Sequence, residues 1–116
     1  MATVELLVDT DVLIDHLRGE RRLRARGRFG ISVVSRCELF AGRDEPTQLR
    51  RFLWPMIEIP IDPAIAELAG ITRRATGIAT PDALIAATAL TYRIPLMTRN
   101  RRHFERVTEL DVVAPG

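Results

Sequence analysis

The sequence predicts an α/β fold in which a central, mainly parallel sheet of about four to five strands lies between helices in a three-layer sandwich. Short apolar runs bounded by Gly, Pro or acidic residues alternate with stretches that carry helix start and stop signals. The apolar runs contain few polar residues, as expected of strands that are covered on both faces. The length of 116 residues suits a single domain, and we expect residues 1–116 to form it.

The strands are predicted from runs that are rich in aliphatic and β-branched residues. The clearest run, residues 4–8, is followed directly by Asp9. Pro60 interrupts residues 56–61, which therefore form at best a short or edge strand. The remaining predicted strands are residues 30–35, 95–98 and 110–113.

Helices are predicted where a capping residue precedes an apolar periodicity and a Gly or Pro follows it. Thr10 or Asp11 is expected to cap the first helix. Residues 99–103 are expected to form a polar turn after the 95–98 strand. The predicted helical stretches are residues 10–19, 35–42, 44–53, 62–77 and 80–92.

Two of the predicted helix starts contain acidic residues. Ser35, with Glu38 three residues later, matches the capping box of a helix N-terminus. Thr80 is expected to cap the fifth helix, with Pro81 at its first position. Asp82 would then lie in the first turn, where a negative charge is favoured by about 0.3–1 kcal/mol. Glu38 and Asp82 therefore each have a purely structural explanation.

The positive charge of the chain is carried entirely by arginine. All 17 basic residues are Arg, which a GC-rich coding bias explains, but ten of them crowd into residues 18–28 and 99–106. Clustered guanidinium groups suit the phosphates of a nucleic acid, and a solvated face is the alternative. Because the net charge is only +2, we expect a local nucleic-acid-binding surface. The arginines assigned to it are Arg22, Arg24, Arg99, Arg101 and Arg102.

Other features of the sequence limit the class of protein. The single cysteine, Cys37, excludes an internal disulfide and a cysteine-based zinc cage, and we expect it to be a small buried thiol. The first basic residue is Arg18, so the N-terminus does not resemble a signal peptide. No apolar run approaches the roughly 20 residues that cross a bilayer. We therefore expect a cytoplasmic protein that does not enter a membrane.

Asp9 is the strongest candidate for a site residue. It closes a buried strand, where a carboxylate is costly unless it is paired or bound to a metal. The carboxyl ends of parallel strands also form the edge at which α/β proteins place their active sites. Asp11 serves equally well as a helix cap, a supporting group or a direct ligand. Glu38 follows the second strand, which places it beside the end of the first.

Four ordered motifs resemble those of PIN domains, and in particular the small VapC-type toxins of prokaryotic toxin–antitoxin pairs. The motifs are residues 8–14, 31–39, 81–89 and 96–104. The resemblance covers residues 4–113 and implies a PIN-like sandwich that acts as a metal-dependent endoribonuclease. It also implies a homodimer, inhibition by a cognate VapB-type antitoxin, and contact with operator DNA only through that antitoxin.

Carried over by position, the resemblance implies that Asp9, Glu38 and Asp82 form the acidic centre and are both the catalytic residues and the metal ligands. Carboxylates suit Mg²⁺ or Mn²⁺, which prefer hard oxygen ligands. An ion held there would activate a water for attack on an RNA phosphodiester and would neutralise charge on the phosphate. Without a cation, converging carboxylates repel each other and raise their own pKa values.

The sequence departs from the family pattern in the turn after the 95–98 strand. The family often has a further acid there, whereas this chain has Asn100 and, three residues later, His103. Asp11, Thr98, Asn100 and His103 are therefore assigned supporting roles. The missing acid argues against a tightly held second metal ion. It also supports an alternative function, that of a PIN-like module that binds RNA or protein with weak or no catalysis.

A third interpretation is a phosphatase of the haloacid dehalogenase type. Residues 9–13 fit its Asp-x-Asp motif, with Asp9 as the nucleophile and Asp11 as the acid/base, and Thr98 fits its second motif. That family relies on a downstream lysine and usually on a late pair of acids, and this chain has neither. We rank this interpretation last.

Overall fold

The structure is a computed structural model that describes residues 3–20, 23 and 27–116. Within these residues the chain forms five strands and six helices. In chain order they are β1 (Leu6–Val8), α1 (Thr10–Leu17), β2 (Phe29–Ser32), α2 (Val33–Phe40), α3 (Pro46–Leu53), β3 (Ile57–Ile59), α4 (Pro63–Thr76), α5 (Thr80–Tyr92), β4 (Leu96–Met97), α6 (Arg101–Phe104) and β5 (Val112–Val113).

The strands form one sheet in the order β3-β2-β1-β4-β5, and every neighbouring pair is parallel. The central strand is β1, in which Leu7 pairs with Gly30 of β2 and with Leu96 of β4. Pro60 follows β3, which lies at an edge of the sheet as predicted. Because all five strands point the same way, the residues that follow β1 and β4 meet at one edge. The predicted α/β architecture is confirmed.

Two apolar cores cover the two faces of the sheet. Leu6 and Val8 point into a core with α1, α2 and α3, whereas Leu7 between them points into a core with α5 and α6. A further cluster joins α4 to α5 through small side chains such as Ala69 and Ala87, which allow the two helices to pack closely. In the part of the chain that the structure describes, no helix has both the length and the apolarity that crossing a membrane requires.

The start of α2 differs from the prediction. Ser32, not Ser35, is the N-cap, and its Oγ accepts a hydrogen bond of 3.0 Å from the Val34 amide. The helix therefore begins at Val33, and the predicted strand over residues 30–35 ends three residues early. Ser35 lies inside the helix with no exposed surface. The capping-box explanation of Glu38 is consequently wrong.

The other differences are local. Ala79 rather than Thr80 is the N-cap of α5, and no side chain caps that helix. The polar turn predicted at residues 99–103 overlaps the short helix α6 (Arg101–Phe104). Cys37 is exposed on the outer face of α2, so the prediction of a buried thiol is wrong. The predicted Arg-rich loop, including Arg22 and Arg24, falls largely outside the described residues.

Candidate active site

A cavity of about 410 Å³ opens at the carboxyl edge of the sheet. It collects residues from the end of β1, the starts of α1 and α5, the exposed face of α2, and the segment after β4. The predicted site residues that line it are Asp9, Asp11, Glu38, Asp82, Asn100 and His103. A larger cavity of about 590 Å³ at the opposite edge of the sheet contains none of them.

Asp9 lies at the centre of the candidate site and is only 6% exposed. Its Oδ1 accepts a hydrogen bond of 2.8 Å from the Thr10 amide, and its Oδ2 accepts one of 2.8 Å from the Thr98 hydroxyl. Asp9 is also the N-cap of α1, so the expectation that Thr10 or Asp11 caps this helix is wrong. Burial raises the pKa of Asp9 to about 6, against the lowering effect of the Thr98 hydrogen bond.

Asp11 holds the segment that follows β4. Its Oδ2 accepts hydrogen bonds of 3.2 Å from the Arg99 amide and 3.0 Å from the Asn100 side chain, and it lies 3.3 Å from the Thr98 hydroxyl. Its Oδ1 is buried and has no hydrogen-bond partner among the described residues. Asp11 therefore contributes one oxygen to the protein scaffold and keeps the other unpaired.

Glu38 and Asp82 reach the cavity from helices on opposite sides of the sheet. The Glu38 Oε1 accepts a hydrogen bond of 2.7 Å from the Thr10 hydroxyl. Asp82 lies in the first turn of α5, with its Oδ2 3.5 Å from Nδ1 of His103. Partial burial raises the pKa of Asp82, the charge of His103 lowers it, and the nearby carboxylates of Glu38 and Asp11 raise it again.

The side chains that line the cavity carry oxygen donors of the kind that a hard divalent cation prefers. As placed, no three carboxylate, histidine or cysteine side chains of the described residues are gathered closely enough to hold a metal ion. The carboxyl oxygens of four acids nevertheless line one cavity. The unpaired Oδ1 of Asp11 is an oxygen that a cation could use, whereas the raised pKa values of Asp9 and Asp82 result chiefly from burial, with a smaller contribution from neighbouring carboxylates. This donor set fits Mg²⁺ or Mn²⁺.

The arginines assigned to RNA binding have different environments. The Nε of Arg99 lies 3.1 Å from Oδ2 of Asp15, whose side chain is 5% exposed. Arg101 donates a hydrogen bond of 2.9 Å to the carbonyl of Val112 in β5. Arg102 is exposed on α6. Arg22 and Arg24 lie outside the described residues.

Sequence reasoning assigned no role at the site to three side chains that organise this edge: Thr10, Asp15 and Ser35. Asp15 carries one available signal, because it is four residues after Asp11 and so shares its face of α1. Thr10 carries a weaker one, since it stands between two acids. Nothing in the local sequence indicates that Ser35 faces Thr10.

Known proteins share both the sequence pattern and the fold. The family model described as the PIN domain matches residues 6–110. The chain belongs to the PIN domain family. Ribonuclease VapC1 of Methanocaldococcus jannaschii is 34% identical over 113 residues, which cover 90% of this chain and 82% of that protein. Ribonuclease VapC10 of Mycobacterium tuberculosis is 40% identical over 121 residues, covering 90% of both chains.

A solved structure extends this likeness from sequence to architecture. A chain in a toxin–antitoxin complex from Klebsiella pneumoniae superposes on this PIN domain with a TM-score of 0.78 and 29% sequence identity. The match covers 97% of this chain and 98% of that one. This PIN domain thus has the architecture of a protein that is found in a toxin–antitoxin complex.

Proposed function

We propose that the protein is the ribonuclease toxin of a VapBC-type toxin–antitoxin pair, which cleaves RNA phosphodiester bonds. The observation that carries this proposal is the cavity at the carboxyl edge of the sheet, which is lined by four carboxylates from three parts of the chain. Two relatives that match nine-tenths of the chain are named ribonucleases, which supports the same reaction. Asp9 in its buried setting carries the main catalytic role.

The reaction depends on Mg²⁺ or Mn²⁺ held by Asp9, Glu38 and Asp82, with the unpaired oxygen of Asp11 close by. When bound, such an ion neutralises charge on the scissile phosphate and lowers the pKa of the attacking water. Without it, several carboxylates would face a polyanionic substrate, and binding would be repulsive.

The remaining residues around the cavity orient these acids or face the substrate. Thr98 donates to Asp9 and thereby fixes the plane of that carboxylate. His103 is exposed and lines the cavity close to Asp82. In this proposal it faces the phosphates of a bound RNA. Arg102 lies beside it and supplies positive charge for the same backbone. Asn100 takes the place of the family's further acid and holds Asp11.

The partner in this proposal is a cognate VapB-type antitoxin that blocks the cavity, with operator DNA contacted through the antitoxin. The matched structure from Klebsiella pneumoniae is itself a toxin–antitoxin complex, which supports this arrangement. A homodimer is the expected form of the toxin. Because RNA is the substrate, the site of action is the cytoplasm, as the sequence predicts.

The test is cleavage of RNA by the purified protein, with and without Asp9→Asn. We expect Mg²⁺ or Mn²⁺ to be required, EDTA to abolish cleavage, and Asp9→Asn to lower the rate by at least about a hundredfold. Circular dichroism establishes that the variant is folded. Cleavage that survives in a folded Asp9→Asn protein would overturn the assignment. Wild-type protein that binds RNA in the presence of metal without cutting it would instead favour the non-catalytic module.

A further inference from the structure

Thr10 donates hydrogen bonds to two of the acids that line the cavity. Its backbone amide donates to Oδ1 of Asp9 at 2.8 Å, and its hydroxyl lies 2.7 Å from Oε1 of Glu38. The first contact joins neighbours in the chain, and the second joins α1 to α2. One residue at the start of α1 therefore restrains carboxylates on two separate elements.

The direction of the hydrogen bonds follows from the number of hydroxyl protons. A carboxylate oxygen accepts, so Thr10 uses its single hydroxyl proton for Glu38. The hydroxyl oxygen of Thr10 also lies 2.8 Å from Oγ of Ser35, and it can only accept there. Ser35 is then the donor, and the chain of bonds runs from Ser35 through Thr10 to Glu38.

Burial determines how firmly this chain is held. Thr10 is 7% exposed and Ser35 has no exposed surface, so water does not compete for either hydroxyl. Ser35 and Glu38 are three residues apart on α2 and thus lie on the same face of that helix. In the described part of the chain the Glu38 side chain makes no other hydrogen bond, so its Oε2 is available at the cavity that Glu38 lines.

We propose that Thr10 is a positioning residue that orients Glu38 toward the cavity, and that Ser35 fixes the direction in which the Thr10 hydroxyl donates. A long glutamate side chain on an exposed helix face would otherwise sample several rotamers in solvent. The hydroxyl chain selects the one that keeps the carboxylate at the cavity that Asp9 and Asp82 also line. The part of this role that concerns a bound metal rests on the proposed function.

The test compares variants that differ in the hydroxyl alone. Thr10→Val removes the hydroxyl and keeps the shape of the side chain, whereas Thr10→Ser keeps the hydroxyl. Mn²⁺ binding to the RNA-free protein is measured by calorimetry and by electron paramagnetic resonance of free Mn²⁺. We expect Thr10→Val to weaken binding by about tenfold or more, Thr10→Ser to bind as the wild type does, and Ser35→Ala to lie between them.

Thr88→Val is the matched control. Thr88, like Thr10, is a buried helical threonine, but its hydroxyl donates to the Leu84 carbonyl and it does not line the cavity. We expect unchanged Mn²⁺ binding in this variant. Equal losses in Thr10→Ser and Thr10→Val, or no loss in either, would overturn the positioning role.

A crystal structure of metal-free Thr10→Val separates this inference from the proposed function. If the wild type itself fails to bind Mn²⁺, the metal proposal is wrong. The position of Glu38 in the variant then still shows whether Thr10 orients that side chain. We expect the Glu38 carboxylate to leave the Thr10 site in the variant. A Glu38 side chain that keeps its wild-type position without the hydroxyl would show that Thr10 does not orient it.

Discussion

At the scale of single residues, the buried carboxylate of Asp9 predicts an unusual dependence of stability on pH. Its pKa is raised from 3.8 in a model peptide to about 6, chiefly by burial. A folded-state pKa above the unfolded value means that this group's stabilising contribution is complete below about pH 4. The contribution is then lost as the pH rises through about 6. Since one pKa unit corresponds to about 1.4 kcal/mol, the whole loss is about 3 kcal/mol.

Asp9→Asn removes this titration and keeps a side chain of similar shape. We expect the metal-free variant to gain more than about 1 kcal/mol of stability relative to the wild type between about pH 5 and about pH 8. Urea unfolding in EDTA at several pH values measures the difference in the free energy of unfolding. The contributions of the other acidic residues cancel in this difference, because both proteins contain them. A constant difference across this range would show that Asp9 has an ordinary pKa.

Arg99 is predicted to matter more for stability than for RNA binding. Its side chain is 43% exposed, and its guanidinium pairs with Asp15, a buried acid. Arg99→Ala leaves that carboxylate without its counter-charge, and solvent screening on the arginine side keeps the cost to about 1–2 kcal/mol. Urea unfolding at neutral pH measures the change in the free energy of unfolding.

Arg102→Ala is the control for Arg99→Ala, because it removes the same side chain from an exposed position on α6. We expect it to change stability by less than about 0.5 kcal/mol and to weaken RNA binding instead. Adding Asp15→Asn to Arg99→Ala should recover part of the lost stability, since the unpaired charge disappears. Equal destabilisation by the two arginine variants would contradict the assigned roles.

At the scale of elements, α4 and α5 end in the same left-handed conformation with different residues. Gly77 has φ 76° after α4, whereas Arg93 has φ 55° after α5. This conformation costs a non-glycine residue roughly 1–2 kcal/mol, and glycine loses about 0.5–1 kcal/mol more entropy on folding. We therefore expect Arg93→Gly to raise the free energy of unfolding by about 0.5–1 kcal/mol.

Two further variants isolate the backbone effect at these helix ends. Arg93→Ala removes the side chain and keeps the strained conformation, so it should be less stable than Arg93→Gly. Gly77→Ala meets no atom within 4 Å of the added Cβ, and it should lose about as much as Arg93→Gly gains. Urea unfolding compares all three proteins, and an equal stability of Arg93→Ala and Arg93→Gly would show that the conformation carries no penalty.

The elements that sequence predicts well are those with a single interpretation. Asp62 and Gly77 bound α4 as expected, because no competing cap stands near either of them. The start of α2 offers two serines, and the spacing of Ser35 to Glu38 favours the wrong one. Ser32 caps the helix instead, since β2 ends where its register with β3 ends. The spacing of nearby residues carries no information about the register between β2 and β3.

At the scale of the whole molecule, parallel strand order predicts which segments meet, but not the bonds between them. The sequence predicts Asp9, Glu38 and Asp82 at one edge of the sheet, and in the structure they line one cavity. The bonds from Thr98 to Asp9 and from Thr10 to Glu38 join residues 89 and 28 positions apart. Their geometry depends on how the helices pack on the sheet, which neither periodicity nor spacing specifies.

The behaviour of the intact protein in a cell tests whether this edge works as an enzyme or only as a binding surface. Expression in a bacterial host that lacks the partner should arrest growth. Glu38→Gln and Asp82→Asn should each relieve the arrest, because each removes a negative charge from the cavity and leaves the fold in place.

Thr88→Val, which changes a buried residue away from the cavity, should arrest growth as the wild type does. Colony counts after induction, with equal protein levels on immunoblots, give the comparison. Arrest that persists in both acid variants would mean that binding alone is toxic, and the non-catalytic module would then be the better description of this PIN domain.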